Sequence, residues 1–169
     1  MHDQPRLKPF APSEFFADQR SARPLVPGTV ARGELRENAA FHTGKAGSEF
    51  VRELPVPVTL ALLQHGRTRF DAFCSPCHGR TGSGDGPVPE RGFKRPPSYH
   101  AERLRAAPPG YIFDVISNGF GAMSDHAAQV PAADRWAIVA YVRALQLSQH
   151  AELADVPAEK RTELERLPP

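Results

Sequence analysis

Cysteine, methionine, tryptophan, net charge and long apolar runs are all scarce in this 169-residue sequence, and each scarcity excludes something. The only two cysteines, Cys74 and Cys77, stand two residues apart. A disulfide between them would close a loop too short to restrain the unfolded chain, which makes a structural staple a poor explanation. The longest apolar stretch, Val56 to Leu63, is broken by Pro57 and Thr59 and falls well short of the roughly 18 residues that cross a bilayer. No charged-then-apolar signal segment opens the numbering. Either the protein natively has none or the numbering begins after its removal. The formal charge of +2 is too small to imply binding to a polyanion, so nucleic acid is not expected as a partner. No segment alternates apolar and polar residues for long enough to be a strand, and no internal repeat is present.

Proline and glycine, by contrast, are plentiful. Together they make up 31 of the 169 residues, above an average of roughly 12%, so much of the chain is irregular backbone. Residues 1–58 read as an extended arm, because Pro5, Pro9, Pro12, Pro24, Pro27, Pro55 and Pro57 interrupt any long helix. Phe10, Phe15, Phe16, Phe41 and Phe50 are scattered through it. That content of bulky apolar groups argues against free disorder and for an arm lying over the domain or over another subunit. Residues 59–147 read as a helical domain, and residues 148–169 as a charged tail with a short helix at about 158–166. The charge is uneven. The domain carries ten basic and seven acidic groups and the tail three and five, an asymmetry that either orients docking or is an ordinary solvated surface.

Within the domain the helical signals are local ones. Thr59 is a good N-cap for a helix running through Leu60, Leu63, Phe70 and Phe73 to the cysteines. A glycine- and proline-rich loop follows from Gly79 to Ser98, and then a short helix near Tyr99–Arg105. A helix over about Gly110–Ser117 ends at Asn118-Gly119. Pro131, at a first helical position, opens a longer helix to about Leu147. Its Trp136 and Tyr141 are packing residues.

The chemistry is concentrated at Cys74-Ser75-Pro76-Cys77-His78, the c-type haem attachment pattern. Two thiols one helical turn apart can each bond to a vinyl group at the porphyrin edge, and the imidazole of the following residue becomes the proximal iron ligand. One such motif means one covalent haem c. A thioredoxin-like reading needs a strand before the motif and a βαβ context, which are absent here. A zinc reading needs a second ligand pair, whereas His2, His42, His65, His100, His126 and His150 are single and scattered.

The sixth ligand falls on Met123, the only methionine outside the arm, in the flexible stretch Asn118-Gly119-Phe120-Gly121-Ala122-Met123. His126 and His100 are its rivals, and a packing role for Met123 is the plainer alternative. Methionine ligation raises the reduction potential relative to two histidines. The glycines of Gly79–Pro87 suit a tight turn along the haem edge. They do not suit phosphate, since the Gly-Lys-Ser/Thr ending is missing. The Pro87 carbonyl is a candidate acceptor for the His78 imidazole N–H. Arg91, Lys94, Arg95, Arg103 and Arg105 could meet haem propionates, steer a partner or form a plain solvated face.

Over about residues 59–147 the sequence resembles class I cytochrome c. Gly66, Phe70 and Cys74, each four apart, match that family's N-terminal helix, and Val139-Ala140-Tyr141-Val142 looks like its C-terminal helix. The resemblance implies an all-α class I cytochrome c domain with a long irregular N-terminal extension. It also implies that the small Gly66 lets the two helices meet, that Phe70 and Tyr141 pack at the crossing, and that Met123 and Pro87 take the family's second-ligand and proline positions. The flanks Met1-His2-Asp3-Gln4-Pro5, Phe15–Pro24 and Gly28–Gly33, with Gly79–Pro87 and Arg95-Pro96-Pro97-Ser98, are similar to the monohaem cytochrome subunit of alternative complex III (the ActE type).

That second resemblance implies an electron-transfer subunit, not itself an enzyme, of a membrane quinol-oxidising respiratory complex. It would sit on the periplasmic face of the bacterial inner membrane and bind neighbouring subunits through the arm. Its donor would be a multihaem cytochrome and its acceptor a periplasmic cytochrome or terminal oxidase. Such subunits are expected to begin at a lipidated cysteine, which this sequence lacks. A freely diffusing periplasmic carrier and a peroxidase-like haem enzyme with an open iron site are the alternatives.

Overall fold

Thr59 starts the first long helix as expected. In the computed structural model, which describes residues 4–32 and 35–164, its Oγ1 accepts from the Leu62 amide at 3.1 Å and satisfies one of the free donors of the first turn. Helix α2 then runs Leu60–Phe73, the single turn α3 covers Ser75–His78, α4 Glu102–Ala106, α5 Pro109–Asn118, α6 Ala132–Ser148 and α7 Ala158–Leu164. A 3₁₀ turn lies at Pro89–Arg91 and another at Leu153–Asp155. Pro131 stands one position before α6 rather than inside it. The expected helix at 99–105 begins three residues later, and the end expected for α7 at Arg166 lies outside the described residues.

The core forms where α2 crosses α6. Phe70, Trp136, Ile138, Val139 and Val142 are essentially inaccessible to solvent, and Phe70 meets Tyr141 at 5.3 Å between ring centroids, nearly edge-on. Gly66 makes the approach possible, since a Cβ there would stand 2.0 Å from the Ala137 carbonyl oxygen. Asp134, in the first turn of α6, ties the pair together from outside with Arg69 at 2.8 Å and His65 at 2.7 Å. A backbone carbonyl cannot rotate out of the way, so Gly66→Ala has to push the helices apart. We expect it to cost about 3 kcal/mol, the upper end for overpacking, measured as a lowered midpoint of urea unfolding.

Helix α5 packs on α6 through Phe113, stacked on Trp136 at 4.3 Å, and its last turn ends at Gly119 with φ of 78°. Against it lies a segment that the sequence gives no sign of. Asn38 caps a five-residue helix α1, Ala39–Thr43, accepting from the Phe41 amide at 3.0 Å. Gly44 ends it in the left-handed region, and a minimal hairpin follows, β1 Lys45–Ala46 and β2 Glu49–Phe50.

Trp136 Nε1 donates to the Phe41 carbonyl at 2.7 Å, and the Gly110 amide donates to the Val51 carbonyl at 3.1 Å. Lys45 reaches Asp114 at 2.9 Å, and Phe50 meets Tyr111 edge-on at 5.6 Å. Val51, Leu54 and Val56 also pack against the core. The boundary expected between residues 58 and 59 therefore lies between Glu37 and Asn38, and Phe41 and Phe50 belong to the domain rather than to the arm.

Residues before Asn38 form a unit of their own. It is organised around a tight turn in which Ser13 and Gln19 pair at 3.1 Å and Ser21 donates to the Ala11 carbonyl. Arg23 binds Asp18 at 2.6 Å and lies over the Phe16 ring at 4.0 Å. That guanidinium holds the Asp18 carboxyl below its usual range. Met1, His2, Asp3 and Gly33, which carry part of the flanking resemblance, lie outside the described residues.

Candidate functional site

The motif is positioned by the end of α2. The Cys74 amide still donates to Phe70, and then Cys77 and His78 both donate to the Cys74 carbonyl, at 3.1 and 2.9 Å. One helical turn therefore separates the two thiols, and His78 follows directly. The glycine-rich loop folds back over this turn. The amides of Gly84, Gly86 and Val88 donate to the carbonyls of His78, Cys77 and Pro76 at 2.8, 3.3 and 3.0 Å. A Cβ at Gly86 would stand 2.3 Å from the Pro76 carbonyl. The loop thus turns tightly along the motif; Gly86 permits the close approach, and Gly79, Gly82 and Gly84 supply the positive φ of the turns.

Cys74, Cys77 and His78 border a cleft of about 390 Å³, together with Met123, His126, Ile116 and Ile138. Phe73 and Val130 complete the wall. The loop after α5 brings Met123 there through mutual backbone hydrogen bonds between Phe120 and Met123, at 2.9 and 3.0 Å. Of the two histidine rivals for the sixth position, His126 lines the cleft and His100 does not. His126 Nδ1 is engaged with the Ser124 carbonyl at 2.9 Å. His100 instead binds the Thr81 carbonyl and stacks on His150.

Burial, reinforced by His126, lowers the His78 pKa to about 4, so the imidazole is neutral near pH 7 and offers a lone pair. Burial, with Cys77 second, raises the Cys74 thiol to about 12. The helix that leads into the motif weighs against the thioredoxin-like reading, which needs a strand there.

One expectation is corrected. Pro87 is exposed, and the bond expected between its carbonyl and His78 is not made. His78 Nδ1 is buried with no hydrogen-bond partner. The loop meets the motif with its amides, and the His78 ring lies flat on Tyr99, with centroids 4.6 Å apart and planes 10° from parallel. Tyr99 is the site residue that sequence reasoning missed. It lies 21 positions from His78 with no motif around it, and only the folded loop brings it there. Its phenol is pushed well above the ordinary range by burial and then by Cys74 and Cys77.

Among the basic residues singled out, Arg95 and Arg105 are committed to the carbonyls of Gly84 and His100, while Arg91, Lys94 and Arg103 are exposed. The donor set fits a covalently held porphyrin. Two thiols one turn apart, a neutral imidazole and a thioether share an apolar cleft.

Residues 61–142 match the family model described as cytochrome c oxidase, cbb3-type, subunit III. No curated protein sequence matches the chain. Among solved structures, a chain of the Kuenenia stuttgartiensis reducing HAO-like protein complex is 23% identical with a TM-score of 0.47, over 63% of this chain and 54% of that one. This chain therefore spans about half the length of that relative. Cytochrome cL from the marine methylotroph Methylophaga aminisulfidivorans is 18% identical with a TM-score of 0.47, over 88% of this chain and 90% of that one.

Proposed function

We propose, from the premise that residues 61–142 form a cytochrome c family domain in a mostly helical, cytochrome c-like fold, that this chain is a monohaem c-type cytochrome acting in electron transfer. The observation that carries the reading is the single cleft shared by Cys74, Cys77, His78 and Met123. Bound there, haem c supplies a one-electron couple between ferrous and ferric iron. Cys74 and Cys77 would hold the group covalently, and His78 through its neutral nitrogen and Met123 through its thioether sulfur would ligate its iron. Ile116, Val130 and Ile138 line the cleft with apolar surface, which would limit solvent reorganisation when the charge changes. With His78 and Met123 both holding the iron, no open position would remain for a substrate, which favours electron transfer over peroxidase-like chemistry.

Its setting, in our reading, is a subunit of a quinol-oxidising alternative complex III on the periplasmic face of the bacterial inner membrane. A multihaem cytochrome supplies its electrons, and a periplasmic cytochrome or terminal oxidase accepts them. The resemblance of the flanking segments supports this. So does the arm, where Phe10 and Phe15 are almost fully exposed and Leu7, Leu25 and Val26 largely so. Apolar groups at that density mark a surface that meets another protein.

The test is a haem-stained denaturing gel of detergent-solubilised membranes, with co-purification of the full chain and of a chain lacking residues 1–37. The expected result is a stained band that travels with a membrane complex only when the arm is present. A pigmented chain that is soluble with or without the arm would favour the freely diffusing carrier. An unpigmented chain would remove the electron-transfer reading.

A further inference from the structure

We propose that Tyr99 is the positioning residue of the proximal side, fixing the rotation of the His78 imidazole by stacking where no hydrogen bond does so. The inference rests on the haem reading above and deepens it.

An axial imidazole is ordinarily oriented by an acceptor on its second nitrogen, which fixes the ring plane and raises its basicity. Here that nitrogen, His78 Nδ1, is buried without a partner, so the usual device is missing. What the ring does have is a parallel aromatic face at 4.6 Å. That face is itself held on every side. The Tyr99 amide donates to the Gly82 carbonyl at 2.9 Å, and Gln146 Nε2 of α6 donates to the Tyr99 carbonyl at 2.8 Å. Behind the ring, Gly82 has φ of 79°, and a Cβ there would stand 2.7 Å from Tyr99 Cδ2. The glycine thus leaves room for the tyrosine to lie flat. Phe70 closes the far side at 6.2 Å. Gln146 is buried, and its amide nitrogen serves this anchor and the Leu104 carbonyl. The stack is therefore tied to the core crossing of α2 and α6 and does not merely drape over the loop.

The imidazole plane is then set by packing, which resists rotation of the ring.

The experiment compares Tyr99→Phe and Tyr99→Leu in the intact, haem-loaded protein by proton NMR of the ferric state. Unpaired spin in low-spin ferric haem spreads along a direction set by the imidazole plane, so the order and spread of the haem-methyl resonances report its rotation. Tyr99→Phe keeps the stacked ring and is expected to keep the wild-type methyl pattern. Tyr99→Leu removes the aromatic face and is expected to reorder or compress it, with covalent haem retained.

A wild-type pattern in Tyr99→Leu would overturn the proposal. So would a reordered pattern in Tyr99→Phe, because the hydroxyl rather than the stack would then do the orienting. If Tyr99→Leu fails to accumulate, the Tyr99→Phe spectrum decides alone on the same terms. Absence of covalent haem from the wild-type chain would count against the functional reading, not against the stack.

Discussion

Cys74→Ala combined with Cys77→Ala is expected to give a polypeptide that carries no covalent porphyrin and is less stable than the parent around the emptied cleft. The first half follows from the thioether bonds, for the sequence contains no other thiol. The second follows from the cleft. Of the cleft's about 390 Å³, which includes open solvent, only about 50 Å³ is cavity; left unfilled, it would cost on the order of 1 kcal/mol at roughly 24 cal/mol per Å³. That is a modest part of the roughly 5–15 kcal/mol that holds a domain together. The variant should therefore unfold at a lower urea midpoint than the parent, while keeping the aromatic near-ultraviolet dichroism to which the stacked Trp136 and Phe113 of the core contribute. Each single substitution should keep one thioether and stay pigmented. The checks are the intact mass of the polypeptide and its urea unfolding followed by dichroism. A double variant as stable as the parent would mean that the cleft closes on its own, and the haem would then have no structural part.

How much of this was legible beforehand divides by the range of the interactions. Thr59, Asn118-Gly119 and Pro131 announce helix ends by chemistry confined to one turn, and the structure puts the ends there within a residue or two. Cys74, Cys77 and His78 are equally local, because the spacing itself is the site. Gly66 and Tyr141 lie far apart in sequence, and their meeting was expected only because the pattern resembles a known family. The structure supplies the reason in the Ala137 carbonyl against which no side chain would fit.

What could not be read was tertiary. The α1 helix is five residues long and too short to show a period. It persists because Trp136 donates to Phe41 across 95 positions. In the same way the prolines at 55 and 57 suggested an arm continuing to the helix, while Val51, Leu54 and Val56 were in fact bound into the core. Tyr99 and the missing partner of His78 Nδ1 belong to this class. A carbonyl at Pro87 was a reasonable acceptor on sequence distance alone. The loop's amides, not its carbonyls, turned out to face the motif.

Met123→Ala is expected to change the electron-transfer properties more than any other single substitution that leaves the haem attached. On the proposed reading, removing the thioether takes away the ligand that favours ferrous iron. The reduction potential should fall by on the order of a hundred millivolts, a fraction of the span of about 0.8 V that axial ligands command. Sulfur ligation also gives ferric haem a weak near-infrared charge-transfer band, which should vanish.

What occupies the vacated position depends on His126. It lines the same cleft and lies close enough to depress the His78 pKa. Its Nδ1 is already engaged with the Ser124 carbonyl, a bond that fixes the ring while leaving Nε2 as the lone-pair nitrogen. Met123→Ala should therefore bind carbon monoxide in the reduced state only slowly, with His126 competing, and Met123→Ala with His126→Ala should bind it rapidly. Rapid binding by the wild-type protein would show that Met123 does not hold the iron. The committed axial pair, on which the exclusion of peroxidase chemistry rests, would then be gone.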